Sequence, residues 1–241
     1  MKEILQVSDL WLAYNAEPVI QGLSFNVQTG SIVALLGRNG AGKSTVLHAI
    51  GGILPVRQGA ILFEQECILG WSTAQRIRNG LTYVAQGREC FPNLTVGENL
   101  WAATLALGID RRTRKQRVDQ SLAPFSHLHD YYDTPVVHLS GGQQQMLVLA
   151  MALIQRPKCL LLDEPSIGLS DAVLKELEGF LLQYKSEGGS VLLVEQKPRV
   201  VFSTGDYAYY LHGGKVLLGG SPDELRSNLD FVNHYLGRLD V

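Results

Sequence analysis

The sequence predicts an α/β protein whose core is a parallel sheet covered by helices. Three short apolar runs, at residues 32–36, 160–162 and 191–194, each lead into a polar or glycine-rich turn. Runs of this kind are typical of strands that are buried on both faces. The segment GKSTVLHAIGGIL follows the first run and indicates a helix that ends at Gly51 and Gly52. A strand, a loop, a helix and a further strand in this order define the α/β class.

A mostly helical lobe is predicted to be inserted into this core. Between Leu94 and Gln155, leucine and alanine at helical spacing replace the β-branched runs, with Pro124 and Pro135 as breaks. At the start of the chain, LQVSDLWLAY and GLSFNVQTGSI alternate apolar and polar residues, which indicates antiparallel strands beside the main sheet. The predicted division is an α/β core with these strands at 1–87 and 156–220, a helical lobe at 88–155 and a helical tail at 221–241.

Composition and charge limit the classes of partner. The formal net charge is −2 over 241 residues, so the chain has no general attraction to nucleic acid or to anionic lipid. The segment RRTRKQR at 111–117 is basic but lacks interleaved aromatic residues, and we expect a solvated helix face there. The three cysteines lie far apart, which argues against a disulfide framework or a zinc site. The longest apolar run, at 146–154, is about half as long as a membrane-spanning helix, so we expect a cytoplasmic protein.

A phosphate-binding loop follows the first apolar run. Residues 37–44 match the pattern G-x-x-x-x-G-K-S between a predicted strand and a predicted helix. In such loops the backbone amides wrap the phosphates, the lysine approaches the β- and γ-phosphates, and the hydroxyl binds Mg²⁺. The sequence therefore predicts a nucleoside-triphosphate site. Its residues are Gly37, Arg38, Asn39, Gly40, Ala41, Gly42, Lys43, Ser44 and Thr45.

Two adjacent carboxylates narrow the range of activities that a phosphate loop allows. In LLLDEP an apolar strand delivers Asp163 and Glu164 at its carboxyl end. We expect Asp163 to hold Mg²⁺ together with Ser44, and Glu164, pointing across the strand, to orient the attacking water. Kinases, GTPases and motor ATPases all use the phosphate loop, but the N/T-K-x-D motif with which a GTPase reads its base does not occur in this sequence.

Taken together, these motifs resemble those of the ATP-binding-cassette ATPases. The resemblance covers nearly the whole chain and rests on GRNGAGKS, YVAQG, LSGGQ, LLLDEP and GLSDA, in the order and at the spacing of that family. It implies a P-loop NTPase (RecA-like) core, an antiparallel β subdomain and an inserted helical subdomain. It also implies ATP and Mg²⁺ as cofactors.

The LSGGQ sequence is the signature of this family, and it implies a second cassette. In these ATPases two cassettes pack head to tail, so that the signature loop of one faces the γ-phosphate held by the other. The resemblance therefore assigns Ser140, Gly141, Gly142 and Gln143 to ATP that is bound by a second molecule, either another copy or a sister subunit.

Three further site residues follow from the resemblance. Tyr14 matches the aromatic residue that stacks on adenine. Gln86 matches the glutamine that reaches Mg²⁺ or the attacking water and hinges the helical lobe. Gln196 stands where many of these ATPases have a histidine that contacts the γ-phosphate. A glutamine can donate a hydrogen bond at that position but cannot carry a proton charge.

The segments LLVEQ and YVAQGRECFPNLTVGENL are similar to those of cassettes from branched-chain amino-acid importers and their urea-importer relatives. The resemblance implies an ATP-hydrolysing subunit on the inner face of the cell membrane. Permease subunits and, through them, an extracytoplasmic solute-binding protein are its implied partners, and amino acids its implied cargo. The alternatives are import of urea or short amides, export as in lipopolysaccharide-exporting cassettes, and a cassette that acts on nucleic acid instead of in transport.

Overall fold

The computed structural model describes residues 2–15, 17–105, 107 and 110–232. Within these ranges the strands are β1 (Glu3–Tyr14), β2 (Glu17–Gln28), β3 (Ile32–Leu36), β4 (Gln58–Phe63), β5 (Glu66–Cys67), β6 (Leu81–Val84), β7 (Cys159–Asp163), β8 (Ser190–Glu195), β9 (Tyr207–His212) and β10 (Lys215–Gly220). The α-helices are α1 (Lys43–Gly51), α2 (Thr73–Arg78), α3 (Val96–Leu105), α4 (Arg111–Leu122), α5 (Gly141–Leu153), α6 (Asp171–Ser186), α7 (Arg199–Thr204), α8 (Pro222–Ser227) and α9 (Leu229–Phe231). Short 3₁₀ helices cover Ala123–Tyr131 and Val136–His138.

The larger sheet has the strand order β10-β9-β3-β8-β7-β6. Its strands from β9 to β6 are parallel, and β10 adds an antiparallel edge. Every residue of β3, β7 and β8 is buried, as the apolar runs predicted. The α/β class is therefore confirmed. Because β3, β8, β7 and β6 run in the same direction, the segments that follow them meet at one edge of the sheet.

The smaller sheet has the order β2-β1-β4-β5 and is antiparallel. Its first two strands are the alternating segments in which the sequence predicted antiparallel pairing. The strands β4 and β5 complete the sheet and were not predicted.

Strand β3 divides two hydrophobic cores. Ile32, Ala34 and Leu36 belong to the core shared with the helices α3 to α6. Val33 and Leu35 belong to the core shared with the antiparallel sheet and α1. This alternation follows from the two-residue period of a strand. Both layers are thus fixed to the strand that leads into the phosphate loop.

Helices α3, α4 and α5 lie within the predicted helical lobe. Pro124 begins a 3₁₀ helix instead of only interrupting one, because proline is tolerated in a first helical turn. Pro135 precedes the second 3₁₀ turn. The division into core, lobe and tail remains a proposal, which these positions support. Of the predicted helical tail, α8 and α9 are described, whereas residues 233–241 lie outside the described residues.

Candidate active site

The phosphate loop connects β3 to α1. Gly42 caps the amino terminus of α1 with a φ of 97°, a conformation that L side chains rarely adopt. A Cβ atom at this residue would also lie 2.5 Å from Cδ1 of Ile20, so only glycine fits. The loop borders a cavity of about 370 Å³. The cavity is lined by Val19, Asn39, Gly40, Gly42, Lys43, Ser44, Thr45, Gln86 and Glu164.

Three predicted site residues meet in this cavity. Lys43 is only 5% exposed, and its Nζ lies 3.3 Å from Oε1 of Glu164. The other carboxylate oxygen of Glu164 accepts a hydrogen bond from Nε2 of Gln86 at 3.1 Å. Lys43 also donates to the backbone oxygen of Arg38 at 3.3 Å. A buried ammonium therefore lies beside exposed backbone of the loop, where phosphate oxygens are bound in such sites.

Asp163 lies beside this group at the end of β7. Its Oδ1 accepts a hydrogen bond from the hydroxyl of Ser44 at 3.0 Å, and its Oδ2 accepts one from Tyr83 at 3.2 Å. Burial raises the pKa of the Asp163 carboxyl, and the two hydrogen bonds oppose that rise. A hydroxyl and a carboxylate are oxygen ligands of the kind that Mg²⁺ prefers. The residues present therefore fit the ion that the sequence predicts at Ser44 and Asp163.

Glu164 lies in a turn after β7, and this turn sets the direction of its side chain. The sequence predicted instead a side chain that points across the strand. Strand β7 ends at Asp163, and Glu164 has a φ of 47°. Its backbone N–H donates to the carbonyl of Val194 at 2.9 Å. Left-handed backbone at a residue other than glycine is unfavourable and occurs mainly where the surroundings hold it in place. Here that conformation brings the carboxylate to Lys43.

Tyr14 lies at the end of β1 and is 46% exposed. Its hydroxyl is 3.4 Å from Nδ1 of His48. The His48 ring meets the Tyr83 ring edge-on, with the centroids 5.7 Å apart. An accessible aromatic face is what stacking on a base requires. Contact with adenine remains a prediction for this residue.

The signature loop lies at the start of α5. Ser140 is the N-cap of this helix, and its side chain and that of Gln143 form a reciprocal capping box. Gly141 leaves room for Arg88, because a Cβ atom there would lie 2.4 Å from Nη1 of that arginine. In the described part of the chain, none of these residues lines the cavity beside the phosphate loop. The structure therefore does not bring the predicted signature residues onto the phosphate loop of the same chain.

Gln196 lines a neighbouring cavity of about 290 Å³ together with Glu164, Ser166 and Glu195. Glu195 is 2% exposed and accepts hydrogen bonds from both the backbone N–H and the hydroxyl of Ser166, at 3.1 and 2.8 Å. Burial raises the pKa of Glu195 to about 7, against the opposing effect of these hydrogen bonds. This carboxyl group thus supports the turn that carries Glu164.

Sequence reasoning missed Tyr83, Glu195 and His48 as members of the site. Tyr83 lies on β6, inside the quoted YVAQG motif, and Glu195 ends β8, directly before the predicted Gln196. The signal that could have found them is their position near the carboxyl ends of strands that flank β7. His48 sits one helical turn after Ser44 on α1, a spacing that places the two residues on one helix face.

Comparison with known proteins agrees with this geometry. The sequence profile of the ABC transporter family matches residues 20–167. The lipopolysaccharide export system ATP-binding protein LptB of Acidithiobacillus ferridurans is 33% identical, and the match covers 98% of each chain. The high-affinity branched-chain amino acid transport ATP-binding protein BraG of Pseudomonas aeruginosa is 35% identical, with 93% of this chain and 95% of that protein covered.

The fold is shared with solved cassettes. The ADP conformation of MJ1267, an ATP-binding cassette of an ABC transporter, matches with a TM-score of 0.87 at 24% identity, over 98% of this chain and all of that one (100%). The fold and the site define a nucleotide-binding ATPase with a P-loop. The chain belongs to the ABC transporter family, as an ATP-binding subunit of the kind that hydrolyses ATP to power transport. Among the described residues, none of the helices has both the length and the hydropathy of a membrane-spanning segment.

Proposed function

We propose that this subunit powers the import of amino acids, branched-chain amino acids first. The observation that carries the proposal is the match to BraG over nearly the full length of both chains, at 35% identity. The sequence VEQ at the end of β8, with Gln196 in place of a histidine, supports the same subgroup. Residues that would touch the cargo belong to other subunits in this proposal, so the cargo is assigned from similarity and not from a cargo site.

In the proposed chemistry, the phosphate loop and Lys43 bind the β- and γ-phosphates of ATP. Ser44 and Asp163 hold Mg²⁺, with Gln86 as a further ligand, and the bound ion neutralises charge on the phosphates. Glu164 accepts a hydrogen bond from the attacking water and orients it toward the γ-phosphate. Gln196 donates a hydrogen bond to the γ-phosphate. The ion pair of Glu164 with Lys43 at 3.3 Å and the hydrogen bond from Gln86 at 3.1 Å support these roles, since they place the carboxylate at the mouth of the phosphate loop.

A second cassette completes the proposed site. Ser140, Gly141, Gly142 and Gln143 of one molecule contact ATP that is held by the other. Their position at the amino terminus of α5 supports this role, because that end of a helix favours anions. Their separation from the phosphate loop of the same chain is consistent with action on a partner.

The proposed permease docks beside the helical lobe, which places the subunit on the cytoplasmic face of the membrane. Phe91 and Val137 are 56% and 57% exposed. They lie on adjoining segments, because the N–H of Val137 donates to the carbonyl of Pro92 at 2.9 Å. Exposed apolar side chains that adjoin in this way are typical of interaction surfaces. A solute-binding protein outside the cytoplasm completes the proposed importer.

Export is the second candidate, since LptB is 33% identical over 98% of this chain. Import of urea or short amides is a third. Action on nucleic acid has the least support, because the basic segment of α4 lies on a chain with a net charge of −2.

The test is to purify from its native membrane the complex that contains this subunit, and to reconstitute it in lipid vesicles. Phosphate release is then measured with leucine and its binding protein, with urea and its binding protein, and with lipopolysaccharide. Stimulation by leucine alone is expected. A complex with Glu164→Gln is the matched control for contaminating ATPases. Stimulation by lipopolysaccharide alone would replace the proposal with export, and tight, salt-sensitive binding of nucleic acid in place of a permease would exclude transport.

A further inference from the structure

A second cavity, separate from the candidate active site, lies between helices of the lobe and the core. Its volume is about 200 Å³. Residues of α4 and the following 3₁₀ helix form one wall, the end of α5 forms another, and α6 forms the third. Two arginines, Arg117 and Arg156, line it from different segments.

The guanidinium of Arg117 is only partly satisfied. Its Nη1 donates a hydrogen bond to the carbonyl of Ile154 at 3.0 Å. Its Nε is buried and has no hydrogen-bond partner. Burial and the nearby charge of Arg156 both lower the pKa of Arg117. This atom is enclosed by protein, so an acceptor in the cavity can be reached only by the terminal nitrogens of the guanidinium.

Arg156 enters the same cavity from an unusual backbone conformation. Its φ is 52°, in the left-handed region that residues other than glycine and asparagine seldom adopt. Its Nη2 donates to Oε1 of Gln120 at 2.8 Å, which is a neutral partner. Arg156 is exposed, so its charge lies at the open side of the cavity, and its neutral partner Gln120 does not balance that charge.

Within the described ranges, no carboxylate oxygen lies within 4.0 Å of either guanidinium. Glu187 also lines the cavity, and the hydrogen bond that its Oε1 accepts from the neutral Gln183 at 2.9 Å leaves its charge in place, so two arginines against one carboxylate leave one positive charge in excess. Two like charges in one partly enclosed space repel each other unless an anion lies between them. The pair of arginines therefore favours an oxyanion.

Part of the cavity wall is apolar. The rings of Phe180 and Tyr184 are stacked, with the centroids 5.9 Å apart and an angle of 29° between the planes. The Tyr184 hydroxyl already donates to the carbonyl of Pro157 at 2.7 Å. Pro124 and Leu153 add further apolar surface. The volume is below the range of roughly 300 to 1,000 Å³ that holds drug-sized ligands, so the occupant is small.

We propose that this cavity binds a small organic anion, in which a phosphate or carboxylate group carries an aromatic or short aliphatic group. The oxyanion accepts hydrogen bonds from Arg117 and Arg156, and the apolar group packs against Phe180 and Tyr184. Guanidinium groups suit this role because their planar donors match oxyanions in pairs. The site is independent of the cargo and of the direction of transport.

The test uses the full chain with saturating Mg·ADP, so that the phosphate loop is occupied, and titrates phenyl phosphate and benzoate by calorimetry. At least one of the two is expected to bind at one saturable site per chain. Arg156→Gly is the decisive variant, since glycine accepts the left-handed backbone and the fold is therefore retained. It is expected to weaken binding at least about 10-fold, the loss that removal of a charge-assisted hydrogen bond implies.

Arg112→Gln is the matched control. Arg112 is exposed on α4, the helix that also carries Arg117, but it does not line the cavity. Its replacement removes one positive charge, as Arg156→Gly does. It is expected to bind with unchanged affinity. Absence of saturable binding of both anions to the unmodified chain would overturn the proposal. Equal affinity in the unmodified chain and Arg156→Gly would also overturn it. Phenol and inorganic phosphate are expected to bind at least about 10-fold more weakly than the tighter-binding of the two organic anions, and equal binding of either would contradict the assigned ligand class.

Discussion

The hydroxyl of Tyr83 donates a hydrogen bond to Oδ2 of Asp163 at 3.2 Å, while Ser44 donates to Oδ1 at 3.0 Å. Each oxygen of this buried carboxylate is thus held by one hydroxyl group. Tyr83 stands on the neighbouring strand and does not line the phosphate-loop cavity as far as the described residues show. It therefore orients Asp163, a proposed metal ligand, without lining the cavity itself. Residues that contact the ligands instead of the metal commonly take this role in metal sites.

Replacement of Tyr83 by phenylalanine is expected to raise the Mg²⁺ concentration required for half-maximal nucleotide binding by roughly 10-fold, the loss typical of outer partners. Nucleotide binding without Mg²⁺ is expected to stay unchanged, because the phosphate loop is intact. A fluorescent ATP analogue titrated with Mg²⁺ measures both. Tyr131→Phe, on the helical lobe, is the control. An unchanged Mg²⁺ requirement in Tyr83→Phe would show that Asp163 does not depend on this hydrogen bond.

Replacement of Lys43 by alanine is expected to abolish most ATP binding, since its buried ammonium lies beside the loop backbone, 3.3 Å from the carbonyl of Arg38. It is also expected to lower the free energy of unfolding by about 3–5 kcal/mol, because Glu164 would remain buried without its partner. Adding Glu164→Gln to this variant is expected to recover much of the stability, though not ATP binding. Urea unfolding of the single and double variants measures the difference. Equal free energies of unfolding for Lys43→Ala and the double variant would mean that the ion pair contributes little to stability.

Replacement of Glu164 by glutamine is expected to retain ATP binding and to lower turnover by a factor of about 100 or more, as loss of a general base does. With Mg·ATP this variant is expected to accumulate as a dimer, because hydrolysis no longer reopens the paired cassettes. Light scattering after gel filtration measures the mass. Glu66→Gln, an exposed residue of β5, is the control and should hydrolyse ATP normally. A monomer under these conditions would contradict the two-cassette site in its simple form.

The buried carboxyl of Glu195 is expected to make stability depend on pH. Its pKa is raised from 4.5 to about 7 in the folded protein, mainly by burial, so the folded state holds this proton over a range in which the unfolded state has lost it. Its contribution to stability is therefore complete below pH 4.5 and falls as the pH rises to about 7. The loss corresponds to about 3 kcal/mol.

Glu195→Gln tests this dependence, because its amide can keep both contacts with Ser166 and does not ionise. Its free energy of unfolding is expected to exceed that of the unmodified chain at about pH 8 and to match it near pH 4, below the unfolded pKa of 4.5. Denaturant unfolding at the two pH values measures the change, with Glu66→Gln, at an exposed residue of β5, as the control. A constant difference between Glu195→Gln and the unmodified chain at both pH values would place the titration on another group.

The site residues that are easiest to predict from the sequence lie in motifs of consecutive residues. The phosphate loop and the adjacent carboxylates need only a strand and the turn after it, so the sequence alone suffices to predict Lys43, Ser44, Asp163 and Glu164 as site residues. Tyr83 and Glu195 depend on the order β8-β7-β6, which brings together residues about 110 positions apart. The left-handed turn at Glu164 could not be predicted either, since no glycine marks it. The roles of Gln86, Gln196, Tyr14 and the signature loop remain predictions.

The fold, like the site, was predicted only in part. Apolar runs located β3, β7 and β8 of the larger sheet, because both faces of those strands are covered. The strands β4 and β5 were missed. Burial alternates only over the last four residues of β4, and both residues of β5 are exposed, which gives a weak pattern.

The five buried residues of β3 have a consequence for protein engineering. Residues 32, 34 and 36 face one core, and residues 33 and 35 face the other, so the strand is a wall common to both. A chimera that takes its helical lobe from another cassette must keep the three even-numbered side chains or repack them with the donor lobe. A chimera that exchanges the antiparallel sheet must likewise keep Val33 and Leu35 or repack them with the donor sheet. The helical lobe and the antiparallel sheet therefore cannot be exchanged without regard to the strand between them.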